Sequence, residues 1–418
     1  MATKGLMDWM CCQIGAREHY AVPRVLHQSG KLACLFTDFW AGPMIKRAAA
    51  ATSCGSLRSL AARFHPGVAD ASVTSWNTSF IIREVTRKLR SRSSGSRRQY
   101  NDFLQAGRRF ASGVRDCLRK RHTWPEKPVF FSYDTGALEA MEWCRGRGVK
   151  CVLGQMDPNR VEVDLVREEE KRWPGWQTQP LEVPEEYFRR REEEWALADR
   201  VLVNSEFCRE ALIQQGVRSE KLVVVPLCYE RELAKQKSES GAWKAGQPLR
   251  VLFLGQVILR KGIQYLLAAA RLLEQDNIQF DVVGPIGISE AALASAPRNV
   301  VFHGRTGRNQ AGEWYRQADL FVLPTLSDGF AITQLEAMSH GLPVIATSCC
   351  GAVVSDGVDG FIIPTRDAGT LARTVQRYIA EPALLKLQRD AALAKAEQFT
   401  LERLGSGLQR LEADMHSG

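Results

Sequence analysis

Short apolar runs, each followed by an amphipathic stretch, recur along most of this chain and constrain its fold more than any other feature. VFFSY at 129–133 leads into a helical pattern from Ala137 to Arg145, and KCVLGQ at 150–155 into another from Val161. RVLVN at 200–204 leads into FCREALIQQG, where Gly216 is placed to stop the helix, and KLVVVP follows at 221–226. Runs without polar alternation are strands buried on both faces, which means parallel strands covered by helices. A second series begins with LRVLFLG at 249–255 and the helix KGIQYLLAAARLLEQ. It continues through FDVVG at 280–284, NVVFHG at 299–304, LFVLPT at 320–325, LPVIAT at 342–347 and GFIIP at 360–364. Between the series, ERELAKQKSESGAWKAGQP at 230–248 is polar and lacks apolar periodicity. The expected class is therefore α/β, with a first domain over 1–232, a linker over 233–248 and a second domain over 249–395. The tail, 396–418, is expected as a helix able to pack back toward the first domain.

Among the 418 residues no apolar run approaches the ~18 needed to span a bilayer, and the first twenty residues show no signal-peptide pattern. A cytoplasmic location is expected. The eleven cysteines include no CxxC and no ligand spacing, so they read as reduced thiols and not as a metal site. The net charge of +9 is uneven: up to Lys127 there are 22 Lys/Arg against 8 Asp/Glu, and the remainder carries 34 against 39. The densest stretch is REVTRKLRSRSSGSRRQY at 83–100, and aromatic residues do not interleave with its arginines, which argues against nucleic acid. An anionic membrane face or an anionic substrate suits it better, water being the alternative. Ile81, Ile82, Val85 and Leu89 give this stretch an apolar helical face, either for an anionic bilayer or for the core.

In open α/β sheets, ligands bind beyond the carboxyl ends of the strands. In LFLGQVILRKGIQYLL the loop after Gly255 holds Gln256, Arg260 and Lys261 before a helix start, a place for phosphate or simply two solvated cations. In LPTLSDGFAITQLEAMSHGLPVIAT, Asp328 and Glu336 flank a helix expected over about Ala331–Ser339, with the amides of Phe330 to Thr333 at its start. A simple N-cap role would explain Asp328 but not Glu336.

These segments, with NVVFHGRTGRNQAGEWYRQADLFVL and VVSDGVDGFIIP, resemble the retaining GT-B glycosyltransferases of the family-four type, the glycosyl transferases group 1. That group includes bacterial mannosyltransferases, glycogen synthases and sucrose synthases. The resemblance covers roughly residues 200–380. It implies two Rossmann-like domains whose parallel sheets face across a donor/acceptor cleft. It also implies that Asp328 faces the transferred sugar, Glu336 the ribose, and the amides of Phe330, Ala331, Ile332 and Thr333 the sugar and phosphate. The family's diphosphate pair is an Arg after the strand-end glycine and a Lys five residues on. Lys261 matches, Gln256 stands at the Arg place, and Arg260 is the nearby substitute. Arg305 lies where the base-binding loop falls, and Gly15 at the place of the glycine-rich loop after the first strand. The family's acceptor-side histidine is not evident; Asp157, in GQMDP, is the nearest polar residue, with a structural turn as the alternative.

The chain contains no Asp-x-Asp, so no metal clamp and no cofactor are expected beyond the nucleotide-sugar co-substrate, with a glycan, lipid-linked or small hydroxyl acceptor as partner. A noncatalytic nucleotide-sugar-binding scaffold and a GT-B-fold epimerase are the alternatives.

Overall fold

A computed structural model describes residues 8–42, 60, 61, 63–90, 95–230, 243 and 246–417. Two parallel sheets account for its architecture. The first has the order β3-β2-β1-β4-β5-β6-β7, built from β1 (Asp8–Gln13), β2 (Leu32–Thr37), β3 (Val73–Ser75), β4 (Pro128–Tyr133), β5 (Lys150–Gln155), β6 (Arg200–Val203) and β7 (Leu222–Val224). The second has the order β10-β9-β8-β11-β12-β13, from β8 (Leu249–Leu254), β9 (Ile278–Val283), β10 (Val300–Gly304), β11 (Leu320–Leu323), β12 (Val344–Thr347) and β13 (Gly360–Ile363). Every pairing in both sheets is parallel. Strand order reverses between β1 and β4 in one sheet and between β8 and β11 in the other, which puts a ligand crevice at each of these places.

The continuous apolar runs are explained by burial on both faces. Val251, Leu252 and Phe253 of β8 are all fully buried, as are Leu320, Phe321 and Val322 of β11. Each such side chain contributes about 1.5–3 kcal/mol by leaving water. The helix Ile263–Leu272 is rich in the strong helix formers Leu and Ala, and it seals the sheet with Ile263, Leu266, Leu267 and Ala270. The last helix, Leu401–Ser417, lies on the first domain: it packs on Ala21–Gln28, and Glu412 pairs with Lys31. Most of the 233–248 segment lies outside the described residues.

The two domains are in direct contact, chiefly through the helix Arg160–Arg172 of the first. Its Glu169, fully buried, accepts from Gln264 Nε2 (2.9 Å), Tyr265 Oη (2.7 Å) and Arg366 Nε (2.6 Å) of the second. Cys208 Sγ reaches Gly329 O at 3.8 Å. A Cβ on Gly329 would stand 1.8 Å from Met156 O, so a side chain there is incompatible with this domain closure. No helix among the described residues is long and apolar enough to cross a membrane.

Candidate active site

The β8 and β11 ends meet at a close approach. After β8 the chain passes Gly255 and the exposed Gln256 to a 3-10 turn, Leu259–Lys261, and then to the helix Ile263–Leu272. Gly262, between turn and helix, has φ 74°, and a Cβ there would lie 1.8 Å from Pro324 O. Glycine both tolerates the left-handed conformation and lets the two strand ends come together. Lys261 Nζ pairs with Asp328 Oδ2, and the two side chains are only 14% and 17% exposed. Burial, with Arg260 alongside, lowers the Lys261 ammonium to about 7, while the nearby Glu162 carboxylate opposes that loss.

Arg260 and Lys261 do not act as a matched pair here. Arg260 Nη1 donates to Ser327 O (2.9 Å) and to Glu162 Oε2 (3.2 Å), a carboxylate from the first domain that also accepts from Ser327 Oγ (2.9 Å). Burial raises the Glu162 carboxyl, although Arg260 lowers it. Asp328 is not a helix cap: the helix runs over Thr333–Ser339, starting two residues later than the sequence suggests, and the Asp328 amide donates to Cys349 O (2.8 Å). The delay follows from Ala331, whose φ of 55° interrupts helical geometry. Phe330 is buried against Phe399, with ring centroids 5.9 Å apart, so its backbone alone is available to a ligand. Ile332 and Thr333 are half-buried. Glu336, also half-buried, accepts from the hydroxyl of buried Tyr315 (2.8 Å). Arg305 is exposed just beyond β10.

At the other crevice, Gly15 (φ 77°) donates its amide to Asp38 Oδ1 (2.8 Å), and Asp38 Oδ2 pairs with Arg63 (2.7 Å). Glu18, His19 and Tyr20 follow with φ of 49°, 51° and 61°, three consecutive non-glycine residues in left-handed geometry. Each costs about 1–2 kcal/mol, and such strain persists where the surroundings impose it, commonly at functional sites. Asp157 is held in a salt bridge: both its oxygens accept from Arg191 Nη2 at 2.8 Å. Burial works against its ionisation, yet Arg191 keeps its carboxyl below the ordinary range. Asp134, at the end of β4, shares Arg191 through Oδ2. Its Oδ1 is buried without a hydrogen bond among the described residues, Arg17 Nη1 standing 3.7 Å away, and burial raises this carboxyl.

The Asp134 loop is fixed from outside. Glu194, fully buried, accepts from the amides of Thr135 (2.6 Å), Ala137 (3.0 Å) and Leu138 (3.1 Å). Arg190 donates to Thr135 O (2.7 Å) and grips Glu139 with both Nη atoms. Burial pushes Glu194 up to about 7 against the pull of Arg190. The strand-end rule applied to VFFSY would have singled out Asp134. No local signal marks Glu162 or Arg191, whose roles depend on which helices cross.

Residues 248–381 match the family described as Glycosyl transferases group 1. The C-terminal domain belongs to that family. The D-inositol 3-phosphate glycosyltransferase of Streptomyces bingchenggensis is 29% identical over 245 residues, 53% of this chain and 54% of that one. The protein of the same description from Streptomyces griseus is 32% identical over 166 residues, 35% of each chain. This chain thus spans about half the length, or less, of the curated relatives it matches. Solved structures resemble it from end to end. Anabaena HepE in complex with UDP and glucose superposes with a TM-score of 0.59 at 15% identity, covering 97% of this chain and 99% of that one. Sucrose-phosphate synthase from Thermosynechococcus elongatus gives 0.63 at 16% identity, covering 98% and 99%. At these identities the likeness establishes the fold: the group 1 domain is the C-terminal half of a GT-B architecture.

Proposed function

We propose that this chain transfers a sugar from a nucleotide-sugar donor to a hydroxyl acceptor without a metal clamp. The observation that carries the reading is Lys261 paired with Asp328 where β8 and β11 diverge, a cation and a carboxylate buried together at the group 1 domain's ligand crevice. Cleaving the sugar–phosphate bond develops negative charge on the leaving diphosphate and oxocarbenium character on the sugar. Lys261 and the amides from Phe330 to Thr333 stabilise the first, and Asp328 lies beside the second. Arg260 joins the diphosphate by exchanging Glu162 for it. Glu336 holds the ribose and Arg305 the base. In retention, the departing diphosphate takes the proton of the incoming hydroxyl on the same face. On the acceptor side, Asp157 is the carboxylate within reach of a hydroxyl, its side chain being 38% exposed and held by Arg191, while Asp134, 4% exposed, braces the same arginine from behind.

The basic first domain suits an acceptor displayed on an anionic surface. Ile81 and Ile82 are 46% and 60% exposed, so this part of the apolar face is not core. The side chains of Arg87, Lys88 and Arg90, and all of Arg92, lie outside the described residues; Arg97 and Arg98 are exposed.

Release of nucleoside diphosphate from UDP-, GDP- and ADP-sugars, measured in EDTA with and without hydroxyl acceptors including D-inositol 3-phosphate, tests the reading. Acceptor-dependent release supports transfer; donor binding with no release under any condition supports the scaffold. Two further outcomes are expected. Asp328→Asn lowers kcat chiefly, and Glu336→Gln chiefly weakens nucleotide binding; identical small losses of stability with normal kinetics would make both carboxylates structural. Nucleoside diphosphate affinity falls as pH rises through about 7, because Lys261 loses its charge there and binding must restore the proton. The slope is at most about tenfold per pH unit and flattens in Lys261→Arg. Calorimetry in buffers of different ionisation heat reads the proton uptake directly.

A further inference from the structure

A cavity of about 650 Å³ lies in the N-terminal domain between the helices Asn77–Arg90 and Ser96–Arg119. Its volume is within the range of small-molecule sites, roughly 300–1,000 Å³. Trp76, Ile82 and Phe110 give it apolar walls, and Asp38 stands at its inner end. The wall is rigid: Trp76 meets Phe110 edge-on at 5.7 Å, and Gly113 lets the longer helix press onto the indole, a Cβ there lying 3.2 Å from the ring.

Three arginines line this groove, and they are not equivalent. Arg108 is neutralised by Glu186. Arg83 donates to Ser79 O (3.1 Å), while Arg109 donates to Gln105 O (3.2 Å) and Gln105 Oε1 (2.8 Å). Neither has a carboxylate at ion-pair distance among the described residues. Burial, then the repulsion of Arg109, lowers the Arg83 guanidinium from its usual range. Asp38 offsets this in part, but its two oxygens are already engaged by the Gly15 amide and by Arg63. Two like charges gathered beside an apolar wall are stabilised by an anion with a hydrocarbon part. The groove mouth continues onto exposed Ile82 and Ile81, with Phe103, 47% exposed, seven residues before Phe110 on the longer helix. Asp38, which accepts from the Gly15 amide, joins the inner end to the loop after β1.

We propose that this groove holds a phosphate-bearing lipid acceptor, its phosphate between Arg83 and Arg109 and its hydrocarbon along Trp76 and Ile82. The inference rests on the transferase reading for the acceptor's role, though not for the binding itself. Each charge-assisted contact to phosphate is expected to be worth about tenfold or more in affinity.

The test is calorimetric titration of the full chain with dodecyl phosphate below its aggregation concentration, with inorganic phosphate and with neutral dodecyl maltoside. Dodecyl phosphate should saturate one site, bind at least about tenfold tighter than inorganic phosphate, and be unaffected by the maltoside. Arg83→Gln and Arg109→Gln should each weaken it about tenfold. Ile82→Ser should weaken dodecyl phosphate alone and leave inorganic phosphate unchanged. Whichever of UDP, GDP or ADP binds the wild type should bind all three variants equally, which shows that they fold. Dodecyl phosphate binding that survives both arginine substitutions overturns the proposal, as does competition by the maltoside. Equal affinity for inorganic phosphate overturns the lipid assignment. Saturable dodecyl phosphate binding by a chain that binds no nucleoside diphosphate upholds the groove and removes the donor reading.

Discussion

Lys261→Ala is expected to lower kcat/KM and nucleoside diphosphate affinity by roughly ten- to hundredfold, the loss of one charge-assisted contact to the diphosphate. The substitution also leaves Asp328 in a nearly closed site without its partner, and breaking a buried pair from one side destabilises by about 3–5 kcal/mol. The two effects separate in the double variant Lys261→Ala with Asp328→Asn, which removes the orphaned charge. Thermal stability should recover toward wild type while nucleotide affinity stays low. Recovery of both would make Lys261 a partner for Asp328 and nothing more; full turnover in the single variant would remove it from the donor site.

Glu194→Ala is expected to be the most destabilising single change away from the donor site, costing on the order of 3–5 kcal/mol. The carboxylate accepts three backbone amides at the start of the helix Leu138–Arg145, and alanine would leave all three without a protein acceptor. It also faces Arg190, which would be left with Glu139 and Thr135 O. The loop so released carries Asp134, which shares Arg191 with Asp157, so kcat should fall further than the folded fraction explains. Glu194→Gln keeps one acceptor oxygen and should fall between alanine and wild type. Denaturant unfolding of the three proteins checks the order; equal midpoints would mean that the amides find other partners.

The group 1 domain was legible because its information is local. Each strand of β8 to β13 is a short apolar run with a glycine, proline or polar stop, and the loops after β8 and β11 carry their chemistry in contiguous segments. Gln256, Arg260, Lys261, Asp328 and Glu336 therefore fall at strand ends or in the helix after one, as their positions in the chain imply. The first domain was less legible. The strands DWMCCQ and LACLFT carry cysteine, aromatic or polar residues in place of a Val/Ile/Leu run, and VTS is only three residues long, so none stands out by composition. Strand order, which places Asp134 at a crevice, is a tertiary property. The helix Arg160–Arg172 reads as an ordinary acidic amphipathic element, and nothing local shows that Glu162 and Glu169 face another domain. Arg260 illustrates the same limit: its charge is visible in the sequence, its commitment to Glu162 is not.

Mass spectrometry of the products formed in EDTA from a nucleotide-sugar panel and a hydroxyl acceptor tests transfer most directly. Acceptor gaining the mass of one sugar residue, in equal amount to the nucleoside diphosphate released and lost in Lys261→Ala, is the expected result. Donor recovered as an epimer, donor hydrolysed equally with and without acceptor, or product formed only when a divalent metal is restored would contradict metal-independent transfer at Lys261 and Asp328.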